Sequence, residues 1–279
     1  MQDIKTYIAF AHLLADAAGR AIRPHFERVG TVETKADNSP VTEADKAAES
    51  AMRGLIEQEF PDHAIFGEEF GISVSGTLRS ISEPLAAGAS GVRPPYTQNY
   101  TWVIDPIDGT RAFVEGLKEW GTLVALCSDG VPILGILDQP VTGERWVATR
   151  GGVSYCSGNV LKTRTIKKLA DAEFSTTSLR YFTPEQGAKV AKLAQSCRRT
   201  VKDGDCYAYG LLARGARDVV VDAGLKPYDI LALVPIIEAA GGVITTWEGK
   251  PVTLSDYANV VAAGDKTLHK QALALLQSA

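Results

Sequence analysis

The chain has 279 residues, of which 45% are apolar, and a net charge of −4 from 29 basic and 33 acidic side chains. That is enough for one large domain or two intimately packed lobes around a full core, and the acidic balance excludes a general nucleic-acid surface, which would be basic. No apolar run approaches the length of a membrane span, and the N-terminus lacks a secretion signal's charged region, apolar core and cleavage site, so a cytoplasmic location with no membrane partner is expected.

Ile4, Tyr7, Ile8, Ala11, Leu14, Ala15, Ala18 and Ile22 recur at helical spacing and predict a long amphipathic first helix. Residues 31–40 are polar and turn-rich and read as a loop or loose hairpin. Thr42 is a natural N-cap for a second helix running to about Glu59, with Ala44, Ala48, Met52, Leu55 and Ile56 in its apolar stripe and Asp45 where a capping-box acid belongs. Ala64-Ile65-Phe66 leads into the acidic turn Gly67-Glu68-Glu69-Phe70-Gly71. Residues 72–99 are rich in Ser, Gly, Ala and Pro and read as a long irregular insertion, either functional or disordered. With both stems near acidic segments, it is expected at the mouth of a site, as a lid or against a partner subunit.

Trp102-Val103-Ile104 is a short buried strand that delivers Asp105 and Asp108 within four positions, followed by Gly109 and Thr110. Pro106 fixes the backbone between the carboxylates. Two acids this close repel and need a compensating cation, and hard divalent ions such as Mg²⁺ take carboxylate, water and phosphate oxygens. Gly109 and Thr110 would open a helix whose N–H groups suit a phosphate. The competing reading is an Asp-rich turn at a strand end.

An antiparallel meander follows at about 121–127, 131–138 and 145–149, with turns at Asp129-Gly130 and Thr142-Gly143. The remainder alternates: helix 184–196, strand 200–203, helix 205–215, strand 217–222, helix 229–240, strands 243–246 and 259–263, helix 266–277. That alternation implies α/β layering. Pro235 falls inside the pattern of Ile230, Leu233, Val234 and Ile237, so that helix should kink or begin late. Cys127, Cys156, Cys197 and Cys206 form no C-x-x-C pair and no zinc spacing with His12, His25, His63 or His269, so reduced, structural thiols are expected.

Gly224-Leu225-Lys226-Pro227-Tyr228-Asp229 is a third acidic segment at a helix start, where Asp229 reads either as an N-cap or as a ligand. With Gly67-Glu68-Glu69, Trp102–Thr110, Glu238-Ala239-Ala240-Gly241-Gly242 and Val41-Thr42-Glu43-Ala44-Asp45, it resembles the inositol monophosphatase family of Mg²⁺-dependent, lithium-sensitive phosphomonoesterases. The similarity runs from about residue 5 to 275 and is greatest to the histidinol-phosphate phosphatase branch. It implies an αβαβα sandwich of the inositol monophosphatase and fructose bisphosphatase type. Residues 1–279 would form a single phosphatase domain, with a metal and phosphate lobe at about 1–180 and a substrate lobe at 181–279.

The resemblance also implies the site. Glu68, Asp105 and the Ile107 carbonyl would hold one Mg²⁺, Asp105, Asp108 and Asp229 a second, and a third would share Glu68 with waters. Asp45 and Thr110 would orient the attacking water, and Gly109, Thr110 and Arg111 would offer N–H groups to phosphate. Asp205 and Asp222 match positions that face the alcohol; on their own, Asp205 reads equally as a helix N-cap and Asp222 as a solvated strand end. The implied substrate is a small phosphomonoester, L-histidinol phosphate first and inositol or sugar phosphates second, and a homodimer is expected. No basic cluster for a second phosphate is visible in the sequence. A non-catalytic metal- or phospholigand-binding protein would have lost ligands, whereas every expected acid is present.

Overall fold

The computed structural model describes residues 3–27, 40–74, 77–79, 99–202 and 204–278. The helical periodicity at the N-terminus builds α1 (Ile4–Phe26) and α2 (Pro40–Glu59), whose apolar stripes pack on each other. The first is capped by the Asp3 carboxylate, which accepts the Lys5 N–H at 3.2 Å. The second begins at Pro40, so Thr42 lies inside the first turn and is not its cap. Proline suits that first position because the N–H it lacks would have no helical partner. The loop expected at 31–40 otherwise lies outside the described residues.

A nine-stranded sheet follows. Its strands are β1 (Ala64–Gly67), β2 (Gly71–Val74), β3 (Thr77–Arg79), β4 (Tyr100–Asp108), β5 (Gly121–Ser128), β6 (Val131–Gln139), β7 (Glu144–Thr149), β8 (Tyr155–Cys156) and β9 (Asn159–Val160), in the order β3-β2-β1-β4-β5-β6-β7-β8-β9. The short helix α3 (Thr110–Val114) sits between β4 and β5. The meander is antiparallel as expected, but β1 and β4 are parallel, with Gly67 level with Ile104. The insertion at 72–99 therefore does not begin as irregular chain: its first residues form the β2–β3 hairpin on the sheet edge. Residues 80–98, and with them the expected lid, lie outside the described residues.

A second, five-stranded sheet is built from β10 (Glu173–Thr176), β11 (Arg199–Lys202), β12 (Val219–Ala223), β13 (Val243–Thr246) and β14 (Asn259–Ala263), in the order β11-β10-β12-β14-β13. Its helices are α4 (Pro184–Ser196), α5 (Asp205–Ala213), α6 (Pro227–Ile230), α7 (Leu233–Ala239) and α8 (Lys266–Gln277). The helix expected at 229–240 is two pieces. The chain re-enters helix at Leu233, so Pro235 falls in a first turn where no N–H is required.

Among the described residues three cores hold five layers together, the middle core lying on both faces of the central helix layer. One, with Leu14, Ile22, Met52, Trp102 and Trp120, lies between α1–α2 and the large sheet. A second, with Leu137, Trp146, Leu212, Ile236 and Ala262, fills the space between the sheets around α5 to α7. The third, with Phe174, Val221, Leu193 and Leu268, joins the small sheet to α4 and α8. Burying each large apolar side chain contributes about 1.5–3 kcal/mol. The layering is the αβαβα sandwich anticipated from the sequence. Among the described residues no helix is long and apolar enough to cross a membrane, and all four cysteines are free thiols.

Candidate active site

The parallel pairing of β1 with β4 puts the ends of both strands at one edge of the large sheet, so the residues just past Gly67 and Ile104 stand side by side: Glu68 and Asp105. Beyond Asp105 the pairing of β4 with β5 loses register and resumes at Asp108, opposite Gly121. Pro106 cannot donate to the ladder, and its carbonyl instead accepts the Thr122 hydroxyl at 2.7 Å. The irregularity lets β4 supply two carboxylates three residues apart to the same place.

Each acid is anchored by a backbone amide. Asp105 Oδ1 accepts the Ile107 N–H at 3.0 Å, Asp108 Oδ2 accepts the Cys206 N–H at 2.6 Å, and Asp229 Oδ2 accepts the Lys226 N–H at 2.8 Å. Asp229 is thus the third residue of α6 reaching back, and not its N-cap. One carboxylate oxygen from each of Asp105, Asp108 and Asp229 lies within 4.8 Å of the others. The Thr110 hydroxyl donates to the Ile107 carbonyl at 3.2 Å, which joins two more of the expected residues at the same turn. Gly109 precedes α3 at φ 91°, a left-handed conformation that favours glycine.

Without a cation the cluster is electrostatically frustrated. Asp105 and Asp108 are held well above the usual carboxylate range, first by burial and then by neighbouring acids. Burial, with Glu68 among its neighbours, raises Asp229 to about 7. Asp45 is 4% exposed and pushed up to about 8, first by burial and then by Glu68, Glu69 and Glu49. Its Oδ1 is buried with no hydrogen-bond partner. Glu68 stands at the exposed rim and is raised by partial loss of solvent, with a hydrogen bond to Asp105 acting the other way. Several acids with only oxygen donors, mutual repulsion and an orphaned carboxylate oxygen nearby fit a hard divalent cation.

Glu68, Asp108 and Asp229 open onto a cleft of about 710 Å³, walled by Gly109, Thr110 and Arg111 from the β4–α3 turn and by Asp205, Asp222 and Tyr209 from the second half of the chain, while Asp105 lies buried behind them. Asp205 is the first residue of α5 and is held at φ 36°, a sparsely populated region for a residue with a side chain. Gly204, not Asp205, occupies the N-cap. Asp222 is no solvated strand end. It is 3% exposed and accepts from the Thr177 N–H and the Tyr209 hydroxyl, both at 2.8 Å, and from the Thr176 hydroxyl at 3.2 Å. Burial raises it to about 6 against these hydrogen bonds.

Sequence reading missed several contributors. Thr176 ends β10 and Thr177 follows it, and that strand has no clear pattern in the sequence. Lys202, Arg217 and Lys226 come from three separate segments yet line the same cleft without a linear basic motif, and Arg217 also pairs with Glu173 at 3.5 Å. Glu49 and Arg53 carried a signal that could have been found: two charges four residues apart, in step with Asp45, beside an apolar stripe.

Known proteins resemble this chain over its whole length. Residues 3–279 match the model of the inositol monophosphatase family. A bifunctional phosphatase of Arabidopsis thaliana, IMPL2, is 41% identical over 99% of this chain and 76% of its own. A histidinol-phosphatase of Streptomyces coelicolor is 34% identical over 99% of this chain and 98% of its own. The solved structure of an inositol monophosphatase from Zymomonas mobilis superposes with a TM-score of 0.85 at 42% identity, covering 100% of both chains.

Proposed function

The chain belongs to the inositol monophosphatase family, and from that premise we propose that it is a Mg²⁺-dependent phosphatase cleaving L-histidinol phosphate to L-histidinol and phosphate. The observation that carries this reading is the convergence of Asp105, Asp108 and Asp229, of which Asp108 and Asp229 line a cleft together with Glu68. Glu68, Asp105 and the Ile107 carbonyl would hold one ion, Asp105, Asp108 and Asp229 a second, and Glu68 with waters a third. Bound Mg²⁺ supplies a more acidic water and offsets charge on the phosphate and on the leaving oxygen.

Phosphoryl transfer otherwise needs mainly positioning. Asp45 and Thr110 orient the attacking water, and Asp45 accepts hydrogen bonds through its unpartnered oxygen. The amides of Gly109, Thr110 and Arg111 receive the phosphate. Asp205 and Asp222 form a negative wall opposite the alcohol. A cationic alcohol with an ammonium and an imidazole suits that wall, and the 34% identity with a histidinol-phosphatase over the whole chain supports the same choice.

A second reading, an inositol or broad sugar phosphatase, draws on the cationic residues Lys202, Arg217 and Lys226 in the cleft. Phosphate release from histidinol phosphate and from inositol 1-phosphate, measured side by side with and without Mg²⁺, separates the two. Turnover should require Mg²⁺, and kcat/KM should favour histidinol phosphate by more than about tenfold, about 1.4 kcal/mol. Equal values, or a preference for the inositol ester, would select the second reading.

Asp205→Asn sharpens the test. Losing a charged hydrogen bond worth about 1.5–3 kcal/mol should lower kcat/KM for histidinol phosphate at least about tenfold. A neutral ester such as phenyl phosphate should change by less than about twofold. Equal losses on both esters would assign Asp205 to the scaffold.

A further inference from the structure

We infer that Glu49 and Arg53, buried on α2, are positioning residues for the metal site, because they hold the turn that carries Glu68. The inference rests on the metal-site reading above. Glu49 is 0% and Arg53 6% exposed, and they pair at 2.7 Å one helical turn apart. The Glu49 carboxylate then accepts two consecutive amides of the β1–β2 turn, Glu69 N–H at 2.7 Å and Phe70 N–H at 3.1 Å. Arg53 grips the other side of the turn, donating to the Ser73 hydroxyl at 3.0 Å and to the Gly71 carbonyl. Its guanidinium also lies 5.9 Å from the centre of the Phe70 ring.

The fit leaves no slack. A side chain on Gly67 would begin 2.1 Å from Glu49 Oε1, so the strand meets the carboxylate with bare backbone. Glu68 is the one residue between that contact and the first gripped amide, so its backbone has little freedom. Asp45, Glu49 and Arg53 also follow one another at intervals of four and share one face of α2. The helix therefore sets Asp45 and the Glu68 turn by a common rod.

Stability alone does not explain such a pair. Replacing a buried ion pair with apolar side chains of similar volume is often neutral or stabilising. What an apolar pair cannot do is accept two adjacent amides beside a metal ligand. Groups that orient ligands in this way typically change metal affinity about 10–100-fold when altered.

The test is direct binding. Mn²⁺, a hard-cation probe, is titrated into the metal-free protein and free Mn²⁺ is followed by electron paramagnetic resonance, well below each variant's melting temperature. Glu49→Gln keeps the shape, loses the charge that holds Arg53 and cannot accept both amides; its dissociation constant should rise by about 10–100-fold. Arg53→Lys keeps the ion pair but cannot reach Ser73 and Gly71 together. It should show a smaller rise, and it serves if Glu49→Gln does not fold. Asp218→Asn is the control, because it breaks the 2.7 Å pair of buried Asp218, just before β12, with the part-exposed Arg164, away from this turn. It should melt lower yet bind Mn²⁺ like the wild type. Wild-type affinity in both α2 variants, or equal weakening in the control, would overturn the positioning role. A wild-type protein that binds no Mn²⁺ would instead remove the metal reading on which the role rests.

Discussion

Asp105→Asn should lower kcat/KM by at least about a thousandfold, about 4 kcal/mol of transition-state stabilisation, while making the metal-free protein more resistant to heat at pH 8. The two effects share one cause. Asp105 is 1% exposed and its pKa is raised first by burial and then by Glu68, Asp108, Asp229 and Asp45. In the proposed arrangement it is the ligand shared by two ions, so its charge is indispensable when metal is bound and unfavourable when it is not. Asparagine keeps the oxygen that accepts the Ile107 N–H at 3.0 Å, so the backbone should not move. Parallel kinetics and melting curves of the metal-free proteins test the claim. Wild-type turnover, or a lower melting temperature for the variant at pH 8, would remove Asp105 from the centre of the site.

Mg²⁺ should raise the melting temperature by an amount that grows with pH. A free Mg²⁺ concentration a hundred times its dissociation constant contributes about 2.7 kcal/mol, or about 5–10 °C for a chain of this size. Asp45 lies near 8 and Asp229 near 7, against an ordinary value of 3.8. A carboxyl whose folded pKa is raised binds more protons folded than unfolded. Its contribution to stability is therefore complete below about pH 4 and is lost as pH rises through 7 to 8. Protons thus do at pH 5 part of what Mg²⁺ does at pH 8, and the Mg²⁺ increment should shrink as pH falls. His12, His63 and His269 are lowered by burial and act in the opposite sense, which is why the difference with and without Mg²⁺ at each pH is the informative quantity. An increment that does not vary between pH 5 and 8 would contradict the acid-cluster origin.

The parts of this protein legible in its sequence are those where one short segment does one job. Trp102 to Ile104 read as a buried strand, and the carboxylates behind it, open to either a cation or an Asp-rich turn, are part of an acidic cluster in the fold. The helices at 184–196 and 266–277 match their caps, Thr183 and Asp265, whose side chains accept first-turn amides. What stayed hidden depends on contacts between distant segments. Thr42 carries a good cap chemistry, yet Pro40 starts the helix sooner. Gly204 takes the cap that Asp205 could have filled. The four residues of β10 are a strand because β11 and β12 flank them in parallel, a fact no local pattern holds. The presence of Lys202, Arg217 and Lys226 in one cleft is likewise a product of folding alone.

The parallel neighbours β1 and β4 have a consequence for how this molecule can be altered. Glu68 is secured locally, by a hairpin and a helix, before the chain runs on through residues 80–98 to the far end of β4. The register of β4 is in turn set from both sides, by β1 and by β5. Both ligand-bearing strands are therefore placed by pairing within the sheet. Closing a longer loop is inexpensive, about 0.6 kcal/mol for each doubling of length. The meeting point of the acids is thus written into the sheet itself, in the pairing of β1 with β4 and of β4 with β5, so it would survive a change in the length of the chain that joins them.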